Sequence, residues 1–333
     1  AALIIQGGGS KSFYGRLPEG QILNVSRHRG IVSYEPTDLV ITARAGTPLY
    51  EIETVLANSN QMLAFEPPHF GTNSTLGGVV AAGLSGPRRP YCGSVRDFVL
   101  GIKMINGKGE VLKFGGQVIK NVAGYDVSRL LTGSLGTLGV LLEISLKVLP
   151  RPEVELTVCR QSNGVDAIRF FNECAGRSLP VSAACHAINR AHIRLAGTET
   201  GVQAAFKKIG GDVLADGNKF WQSVREQTHT FFGGNVPLWR LSVASASPSF
   251  DTLGEQLIDW GGALRWVRSE ADKNRFFDAA ASRGGHATLF RYGSRSGDVF
   301  QQLSSAMMKI HKNLKKKFDP KGILNPGRMY KNI

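Results

Sequence analysis

A turn of small residues near the start of the chain has the composition of an anion-binding loop. Residues 7–12 read Gly-Gly-Gly-Ser-Lys-Ser and directly follow a short apolar strand. Successive glycines can adopt the positive φ angles that let several main-chain N–H groups converge on one anion, and the lysine can add a point charge. The turn therefore predicts a phosphate site. Taken alone, it also fits an ordinary strand-to-loop connection, because glycine-rich turns are common.

A second segment poor in bulky side chains lies at residues 75–86, where the sequence reads Thr-Leu-Gly-Gly-Val-Val-Ala-Ala-Gly-Leu-Ser-Gly. Such a segment exposes main chain on which a large, flat ligand can lie. Together, the two segments predict a large cofactor that carries phosphate.

Two common nucleotide-binding motifs do not fit the first turn. A dinucleotide-binding Gly-x-Gly-x-x-Gly motif needs a third glycine where this chain has Ser12. A P-loop needs glycine directly before lysine, but Ser10 separates Gly9 from Lys11. The Phe-Tyr-Gly sequence at residues 13–15 is also a poor start for the helix that a P-loop requires. The turn matches neither class.

The elements that must position these segments alternate short strands with glycine-rich connections. A Gly-Lys-Gly turn at residues 107–109 predicts a hairpin. The Leu-Pro-Arg-Pro sequence at residues 149–152 ends a long apolar strand, so we place a domain boundary there. The strands predicted before this boundary are 3–6, 39–43, 99–106, 111–114 and 138–148, and the predicted helix is 49–58.

After the boundary, the order of strands and helices predicts an antiparallel sheet covered by helices on one face. The predicted strands are 155–160, 181–188, 192–195, 212–215, 239–244, 264–267 and 286–291. The predicted helices are 165–175, 202–209, 219–231, 253–260, 271–281 and, last, 299–317. We therefore expect an α+β protein with domains at residues 1–152 and 153–293 and a tail, 294–333, that returns to the first domain.

Composition narrows the class of protein. Of the 333 residues, 42% are hydrophobic, which is enough for one large core or two medium ones. The four cysteines show no Cys-x-x-Cys spacing, so we expect reduced thiols, no iron–sulfur cluster in this chain and a cytoplasmic location. No apolar stretch reaches the roughly 20 residues that a bilayer span needs, so we expect a soluble protein.

The net charge of +14 raises the question of nucleic acid, but its position argues against that ligand. Much of the charge lies in a lysine-rich tail, residues 309–331. No helix-turn-helix, zinc-finger or aromatic RNA-binding motif accompanies it. A solvated helix face and an acidic protein partner are the alternatives for this tail.

An ordered series of motifs over most of the chain points to a family. The motifs lie at residues 7–10, 67–68, 75–78, 85–86, 93–101, 120–126, 133–140 and 319–327. In this series the chain resembles the vanillyl-alcohol oxidase / p-cresol methylhydroxylase superfamily of FAD proteins, and within it the D-2-hydroxyacid dehydrogenases. Residues 86–90, 256–266, 284–288 and 325–330 are similar to those of the FAD-binding subunits of bacterial glycolate oxidases.

The resemblance implies a two-subdomain FAD-binding domain of the p-cresol methylhydroxylase type, followed by a cap domain for substrate or partner. In it the glycine turn holds the FAD pyrophosphate, the second segment faces the ribityl chain and isoalloxazine ring, and the tail closes over the flavin. The cofactor-binding residues implied are Gly7, Gly8, Gly9, Ser10, Lys11, Ser12, Pro68, Thr75, Gly77, Gly78, Ala82, Gly83, Gly86, Gly136, Thr137, Gly139, Val140 and Asn325.

The chain departs from its relatives at two kinds of position. Relatives with covalent flavin carry a histidine beside the phosphate turn or a cysteine just ahead of the second segment; this chain has neither there, so we expect non-covalent FAD. The catalytic dehydrogenases use a His-x-Gly-Asp-Gly-Asn-like motif to place a divalent metal on the substrate, and this sequence lacks it, so we expect no metal.

The residues left as candidates for catalysis are His69, His286 and Arg88, and each also fits a purely structural role. The pair Arg88 and Arg89 has the chemistry to bind a carboxylate or to dock a partner, and an exposed, idle pair is the alternative.

Three functions stay open on the sequence. In the first, the subunit holds an FAD that relays electrons in a glycolate oxidase, which makes glyoxylate. A larger FAD-containing subunit then removes hydride from the 2-hydroxyacid, and an iron–sulfur subunit passes electrons on. In the second, the chain is a self-sufficient FAD-dependent 2-hydroxyacid dehydrogenase. In the third, it is a cofactor-free assembly subunit. We expect no nucleic acid as a partner, and membrane association only through other subunits.

Overall fold

The computed structural model describes residues 1–116 and 126–333. The motif at residues 120–126 therefore lies, except for Asp126, outside the described residues. The chain divides into two units. The first unit contains Ala1–Ser85, Gly93–Arg151 and Arg295–Ile333, and the second contains Gly86–Cys92 and Pro152–Ser294.

Among the described residues, strands outnumber helices in both units. The strands are β1 (Leu3–Gln6), β2 (Gln21–Asn24), β3 (Ile31–Glu35), β4 (Val40–Arg44), β5 (Gln61–Met62), β6 (Val99–Ile105), β7 (Val111–Gly115), β8 (Val140–Lys147), β9 (Leu149–Pro150), β10 (Val154–Gln161), β11 (Val181–Ala187), β12 (Arg190–Gly197), β13 (Asp212–Val213), β14 (Leu238–Ser242), β15 (Glu255–Asp259), β16 (Leu264–Arg268) and β17 (His286–Arg291).

The helices are fewer and mostly short. They are α1 (Leu49–Asn58), α2 (Leu76–Ala82), α3 (Arg89–Cys92), α4 (Val95–Phe98), α5 (Val127–Leu130), α6 (Gly164–Ala175), α7 (Glu199–Ile209), α8 (Gly217–Glu226), α9 (Lys273–Ala281) and α10 (Ser305–Phe318), with single 3-10 turns at Thr230–Phe232 and Trp260–Gly262. Among the described residues, no helix is both long enough and apolar enough to cross a bilayer.

The first unit is organised around a five-stranded antiparallel sheet. Its strand order is β3-β4-β8-β6-β7, while β1 and β2 pair in parallel and β5 and β9 form a short antiparallel pair. The predicted hairpin is confirmed, since β6 and β7 are antiparallel neighbours with Ile105 opposite Val111. Consecutive residues of β4 are buried, so this central strand is covered on both faces.

The helix predicted at residues 49–58 is found at those residues as α1. Its buried side chains are Leu49, Ile52 and Leu56, and this spacing of three and four residues places them on one face of the helix.

One lysine of the C-terminal tail, Lys315, belongs neither to a solvated helix face nor to a surface open to a partner. Lys315 is buried, with only 8% of its surface exposed. Its Nζ donates to the carbonyl oxygens of Thr137 at 2.8 Å and Leu324 at 2.7 Å and forms a 2.8 Å ion pair with Asp319. Because Asp319 also accepts from two main-chain N–H groups, this pair fixes the end of α10 within the first unit.

The second unit contains one eight-stranded sheet with the order β13-β10-β12-β11-β15-β16-β14-β17. Every pairing in it is antiparallel, as predicted. On one face, Ala191, Ile193 and Leu195 of β12 pack in a hydrophobic core with side chains of α6 and α7.

The arrangement of helices on this sheet differs from the prediction in one detail. His192, whose side chain points to the other face of β12, stacks on Phe220 of α8 with ring centroids 4.0 Å apart. Trp221 of α8 donates from Nε1 to Thr157 Oγ1 on β10 at 2.9 Å. Helix α8 therefore lies on the second face of the sheet, so helices cover both faces rather than one. Its side chains supply partners for the polar residues His192 of β12 and Thr157 of β10.

Three further predictions about elements are wrong. Residues 253–260 were predicted to be a helix, but Glu255–Asp259 forms β15, which pairs with β11 on one side and β16 on the other. The last helix begins at Ser305 rather than at 299, because the Ser304 side chain accepts from Met307 N and caps it. Helix α8 ends at Glu226, where Gln227 adopts a left-handed conformation.

Candidate cofactor site

The strand before the glycine turn, β1, is hydrogen-bonded along both of its edges. β1 pairs with β2, and on its other side Leu3 exchanges main-chain hydrogen bonds of 2.7 and 2.9 Å with Ile323 and Asn325 of the tail. The turn that follows is closed by Ser12 N, which donates to Gly9 O at 3.0 Å. Gly9 has φ +74°, a conformation that favours glycine.

Three successive residues in the wall of one cavity have main-chain N–H groups without a hydrogen-bond partner. Among the described residues, the N–H groups of Gly8, Gly9 and Ser10 donate no hydrogen bond. All three residues line one cavity. Converging N–H donors at a cavity wall suit a phosphate or pyrophosphate group, which supplies acceptor oxygens and negative charge.

Close packing explains why two of the glycines carry no side chain. A Cβ atom on Gly8 would lie 1.4 Å from the carbonyl oxygen of Asn73, and one on Gly7 would lie 2.5 Å from Thr75 Oγ1. The glycine turn therefore lies directly against the start of the second small-residue segment, and the two segments form one site.

The second segment is a short helix, α2, rather than an extended wall. Thr75 caps it, with Oγ1 accepting from Gly78 N at 3.3 Å, and Gly83 ends it with φ +67°. Gly77 has no room for a side chain, because its Cβ would lie 2.8 Å from the Cβ of Ala45. Gly78 differs, since its Cβ would meet only Thr75 Oγ1, at 3.3 Å, and would otherwise point into open space.

Three neighbouring cavities share Gly7 and Thr75 as walls. Their volumes are about 640, 1310 and 420 Å³. The first is lined by ten of the predicted cofactor residues, namely Gly7, Gly8, Gly9, Ser10, Lys11, Ser12, Thr75, Gly78, Ala82 and Asn325. The 420 Å³ cavity adds Gly77, Gly136 and Gly139. The shared wall residues show that the three cavities adjoin one another, and together we call them the groove.

Two cationic side chains border the first cavity. Lys11 Nζ donates to Ser74 Oγ at 2.8 Å and to the His69 carbonyl oxygen at 3.2 Å, so it ties the turn to residues 69–74. Arg328 Nη2 donates to the Ser12 carbonyl oxygen at 2.8 Å, and burial lowers the pKa of this guanidinium. Both groups bring positive charge beside the free N–H groups.

Asn325 acts as a clamp in the wall of the cavity. Its Oδ1 accepts from Ile5 N at 2.8 Å, and its Nδ2 donates to the Leu135 carbonyl oxygen at 2.6 Å. The side chain therefore joins the tail to β1 and to the loop before β8. The glycine at 136 is needed for this contact, because its Cβ would lie 2.6 Å from Asn325 Nδ2.

The remaining predicted residues lie outside the walls of these three cavities. Pro68 is buried, Gly83 packs against Gly133, and the Thr137 hydroxyl donates to the Ser134 carbonyl oxygen at 2.7 Å. Val140 begins β8, and Gly86 belongs to the second unit.

The predicted cofactor residues left out several residues in the wall of the first cavity, although Ala81, Leu135 and Arg328 lie within the quoted segments. These are Ile4, Ile5, Gln6, Pro18, Ala81, Leu135 and Arg328. The Asn-Pro-Gly-Arg sequence at 325–328 was the available signal for the arginine. The apolar residues carried no signal of their own, since only the tertiary fold brings them to the groove.

The three candidates for catalysis are in different surroundings. His69 Nε2 lies 3.1 Å from a carboxylate oxygen of Glu53 on α1. Arg88 is buried and forms an ion pair with Glu155. His286 lies at the start of β17, where burial of its ring, followed by the positive charges of Arg240 and Arg89, lowers its pKa. The structure does not bring the three together within either unit.

The residues at the groove fit FAD. Unpaired N–H donors and two cations match a pyrophosphate, and Gly78 leaves open space where a side chain would project. Among the described residues, no group of three His, Cys, Asp or Glu side chains is arranged to hold a metal ion.

Comparison with known proteins gives a consistent result. Residues 1–115 match the family described as FAD binding domain. The glycolate oxidase subunit GlcE of Escherichia coli (strain K12) is 52% identical over 331 residues, which cover 99% of this chain and 93% of that protein. The glycolate oxidase subunit GlcD of Bacillus subtilis (strain 168) is 30% identical over 168 residues, 50% of this chain and 35% of that protein.

The fold has counterparts among solved structures. A structure of alkyldihydroxyacetonephosphate synthase superposes with a TM-score of 0.67 over 98% of this chain and 71% of that one. At 15% identity this likeness concerns the fold alone. The expected mixed fold and FAD-binding domain are confirmed by these matches. Because the similarity to GlcE extends over nearly the whole of both proteins, the chain belongs to the family of GlcE glycolate oxidase subunits.

Proposed function

We propose that this chain is the FAD-binding subunit of a glycolate oxidase, an enzyme that oxidises glycolate to glyoxylate. The observation that carries the proposal is the groove of the first unit. Its wall contains the unpaired N–H groups of Gly8, Gly9 and Ser10 and also Gly78, at which a side chain would project into open space. The 52% identity to GlcE supports the choice of reaction, since that relative is a glycolate oxidase subunit.

FAD binds here without a covalent bond. None of the described residues lining the 640 Å³ cavity is a cysteine or a histidine, the side chains that carry flavin in covalent relatives. Residues 1–152 and the tail 294–333 act as the FAD-binding domain, and residues 153–293 act as the cap that faces substrate or partner. The cofactor contacts extend to Pro68, Gly83, Gly86, Thr137 and Val140 when the groove is filled.

The residues of this chain bind and orient the cofactor. When bound, FAD supplies an acceptor for the two electrons of a hydroxyacid. The N–H groups of the glycine turn hold the pyrophosphate, and Lys11 and Arg328 offset its charge. Asn325 keeps the tail against β1, so the groove retains its shape.

The subunit relays electrons within a complex. We place hydride removal in a larger FAD-containing subunit and onward transfer in an iron–sulfur subunit, because this chain has neither the metal-binding motif of the catalytic relatives nor cysteines spaced for a cluster. The complex is cytoplasmic or held at the membrane through other subunits. The names of the relatives GlcE and GlcD support an assembly of several subunits.

Two measurements test this proposal. Purified chain should show visible flavin absorbance, and the flavin should pass through a filter after denaturation, as expected without a covalent bond. Glycolate-dependent dye reduction by the assembled complex should be lost when this chain is omitted. Folded protein that is colourless and ignores added FAD would leave only the role of a cofactor-free assembly subunit.

A self-sufficient 2-hydroxyacid dehydrogenase is the second candidate function. It is favoured by the cationic residues around His286 in the second unit, which have the chemistry of a substrate site. Anaerobic addition of glycolate to the isolated, FAD-loaded chain distinguishes the two functions. Bleaching of the flavin at a catalytic rate would support self-sufficiency, and no bleaching would support the relay.

A further inference from the structure

Helix α10 of the first unit carries charge of one sign only. It contains neither aspartate nor glutamate, and its lysines are Lys309, Lys312, Lys315, Lys316 and Lys317. Lys315 is buried, whereas the other four are exposed. Among the residues that the structure describes, no carboxylate forms an ion pair with any of these four exposed lysines. The open side of α10 is therefore a cationic surface without its own counter-charges.

Exposed cations on other helices have acidic partners close by. An arginine or lysine of α5, α6 and α8 pairs in each case with an aspartate three residues earlier. Pairs at this spacing stabilise a helix that faces water. In α10, by contrast, Lys312 and Lys316 are four residues apart, and like charges at that spacing are unfavourable. A helix face that only meets water does not require this arrangement.

Apolar side chains lie beside the lysines on the same open side. Met307 and Ile310 are 45% and 50% exposed, and because they are three residues apart they are neighbours on the helix surface. Lys317 lies two turns beyond Ile310 on that side. Apolar side chains bordered by charged ones are typical of a surface that binds another protein.

The orientation of α10 is fixed by contacts within the first unit. The Phe318 carbonyl oxygen accepts from Gly107 N at 2.8 Å, and the Phe318 ring lies edge-on to Phe114 with centroids 6.3 Å apart. Together with the buried pair of Lys315 and Asp319, these contacts set which side of the helix faces outwards. The cationic surface is therefore preformed.

We propose that the open side of α10 docks onto an acidic surface of another protein subunit. We call this side the basic face, and it consists of Met307, Lys309, Ile310, Lys312, Lys316 and Lys317. Carboxylates of the partner supply the counter-charges that these lysines lack, and they offset the repulsion between neighbouring lysines. A second copy of this chain does not suit the basic face, because two surfaces of the same sign repel and the net charge is +14.

The partner is a protein rather than a lipid surface. Helices that bind at a membrane interface use large apolar side chains such as Trp, Phe and Leu to enter the lipid. In α10 the one phenylalanine, Phe318, is in contact with Phe114, and Leu314 is partly buried. The chain belongs to a family of oxidase subunits, so a partner subunit is the acidic protein that we infer, and this choice rests on the proposed function.

Retention of this chain by a tagged partner tests the basic face. The complex is bound through a tag on the larger FAD-containing subunit, and the retained amount of this chain is measured from about 0.05 to about 0.5 M salt. Retention of the wild type should fall as salt rises. Lys309→Glu combined with Lys316→Glu should lower retention at least about tenfold at about 0.15 M salt, because two attractions become repulsions.

Lys207→Glu combined with Lys208→Glu is the matched control. It also reverses two exposed lysines in the last turn of a helix, here α7 of the second unit, and retention should not change. Visible flavin absorbance and circular dichroism show that all variants are folded. Equal retention of the two double variants would overturn the inference. Binding of the isolated chain to phosphatidylserine vesicles that is lost in the Lys309 and Lys316 variant, with retention by the complex unchanged, would also overturn it.

Photo-crosslinking identifies what covers the basic face in the complex. Ile310→benzoylphenylalanine should crosslink to a partner peptide rich in Asp and Glu. The same substitution at Val165, which has a similar exposure on α6, should not reach that peptide. Crosslinking only to a second copy of this chain would contradict the inference. Absence of the wild-type chain from the complex at low salt would overturn the proposed function as well, whereas unaffected retention of the basic-face variant would overturn this inference alone.

Discussion

Main-chain groups dominate the candidate site of the first unit, whereas side chains dominate the cluster in the second unit. In the first unit, the groove is made of main-chain N–H groups and glycines, and its charges come from Lys11 and Arg328 at the border. In the second unit, large side chains converge on the ring of Trp260. Where main chain forms the wall of a site, an added side chain occupies the space of the ligand. Where side chains form the site, the register of the sheet determines which side chains lie next to each other. The two should therefore respond differently to substitution.

The largest effect on stability is expected in the first unit, at Lys315. Lys315→Met would leave Asp319, whose side chain is fully buried, without its cation, and should lower the free energy of unfolding by about 3 to 5 kcal/mol. Lys316→Met, at the next and exposed position, should change it by less than about 0.5 kcal/mol. Urea unfolding of both variants measures the difference. Equal stability of the two would show that the buried pair does not hold the tail.

A substitution at Gly78 should separate binding from stability. Gly78→Val places methyl groups in the groove, so FAD affinity should fall by on the order of a hundredfold or more, about 3 kcal/mol. Stability should not fall, since glycine is a poor helix former. Gly297→Val is the control, because Gly297 is exposed and a Cβ there would meet no atom within 4 Å. Fluorescence titration with FAD measures the affinities, and normal affinity in the Gly78 variant would exclude this position from the cofactor wall.

A smaller effect is expected from the charge at the border of the groove. Arg328→Gln should weaken FAD binding by roughly tenfold, because one charged partner of the pyrophosphate is lost. The wild-type affinity should fall with added salt, and that of the variant should fall less steeply. The prediction fails if the salt dependence of FAD binding is the same in both proteins.

At neutral pH the smallest effect is expected in the second unit, where it lies in the dependence of stability on pH. Burial, above all, lowers the pKa of His192 to about 4 from its ordinary value of 6.5. The unfolded chain therefore takes up a proton in this range that the folded chain refuses, so stability should decrease as pH falls from about 6.5 to about 4. His192→Gln should flatten this part of the profile. An unchanged slope, measured by thermal unfolding at several pH values, would assign the acid sensitivity to other groups.

The sequence predicts the first unit better than the second for a physical reason. Glycines at 7–9 and 77–78 are visible in the sequence as residue types, although the contacts that exclude a side chain at Gly8 and Gly77 come from Asn73 and Ala45, which are distant in sequence. The helix at 49–58 is likewise visible from the spacing of its apolar residues. The strand Glu255–Asp259 was mistaken for a helix, because its conformation is decided by pairing with β11 and β16, which lie far away in sequence or beyond a tight turn.

Lys315 shows the same limit within the first unit. It lies in a run of lysines, and only the aspartate four residues later distinguishes it from Lys316. Its burial follows from the carbonyl oxygens of Thr137 and Leu324, which reach it only in the folded chain. The convergence of Arg89 and Arg240 on Trp260 is also a product of tertiary structure, since the three residues lie on α3, on β14 and in the turn after β15.

The central claim is that the N–H groups of Gly8, Gly9 and Ser10 hold the pyrophosphate of a dissociable FAD in the first unit. Equilibrium titration of the stripped, folded chain with FAD and, separately, with riboflavin, which lacks both phosphates, tests it most directly. We predict one FAD per chain, recovered intact after denaturation, and binding of riboflavin that is weaker by at least about a hundredfold. Riboflavin binding as tight as that of FAD, or no binding of FAD to folded protein, would contradict this account.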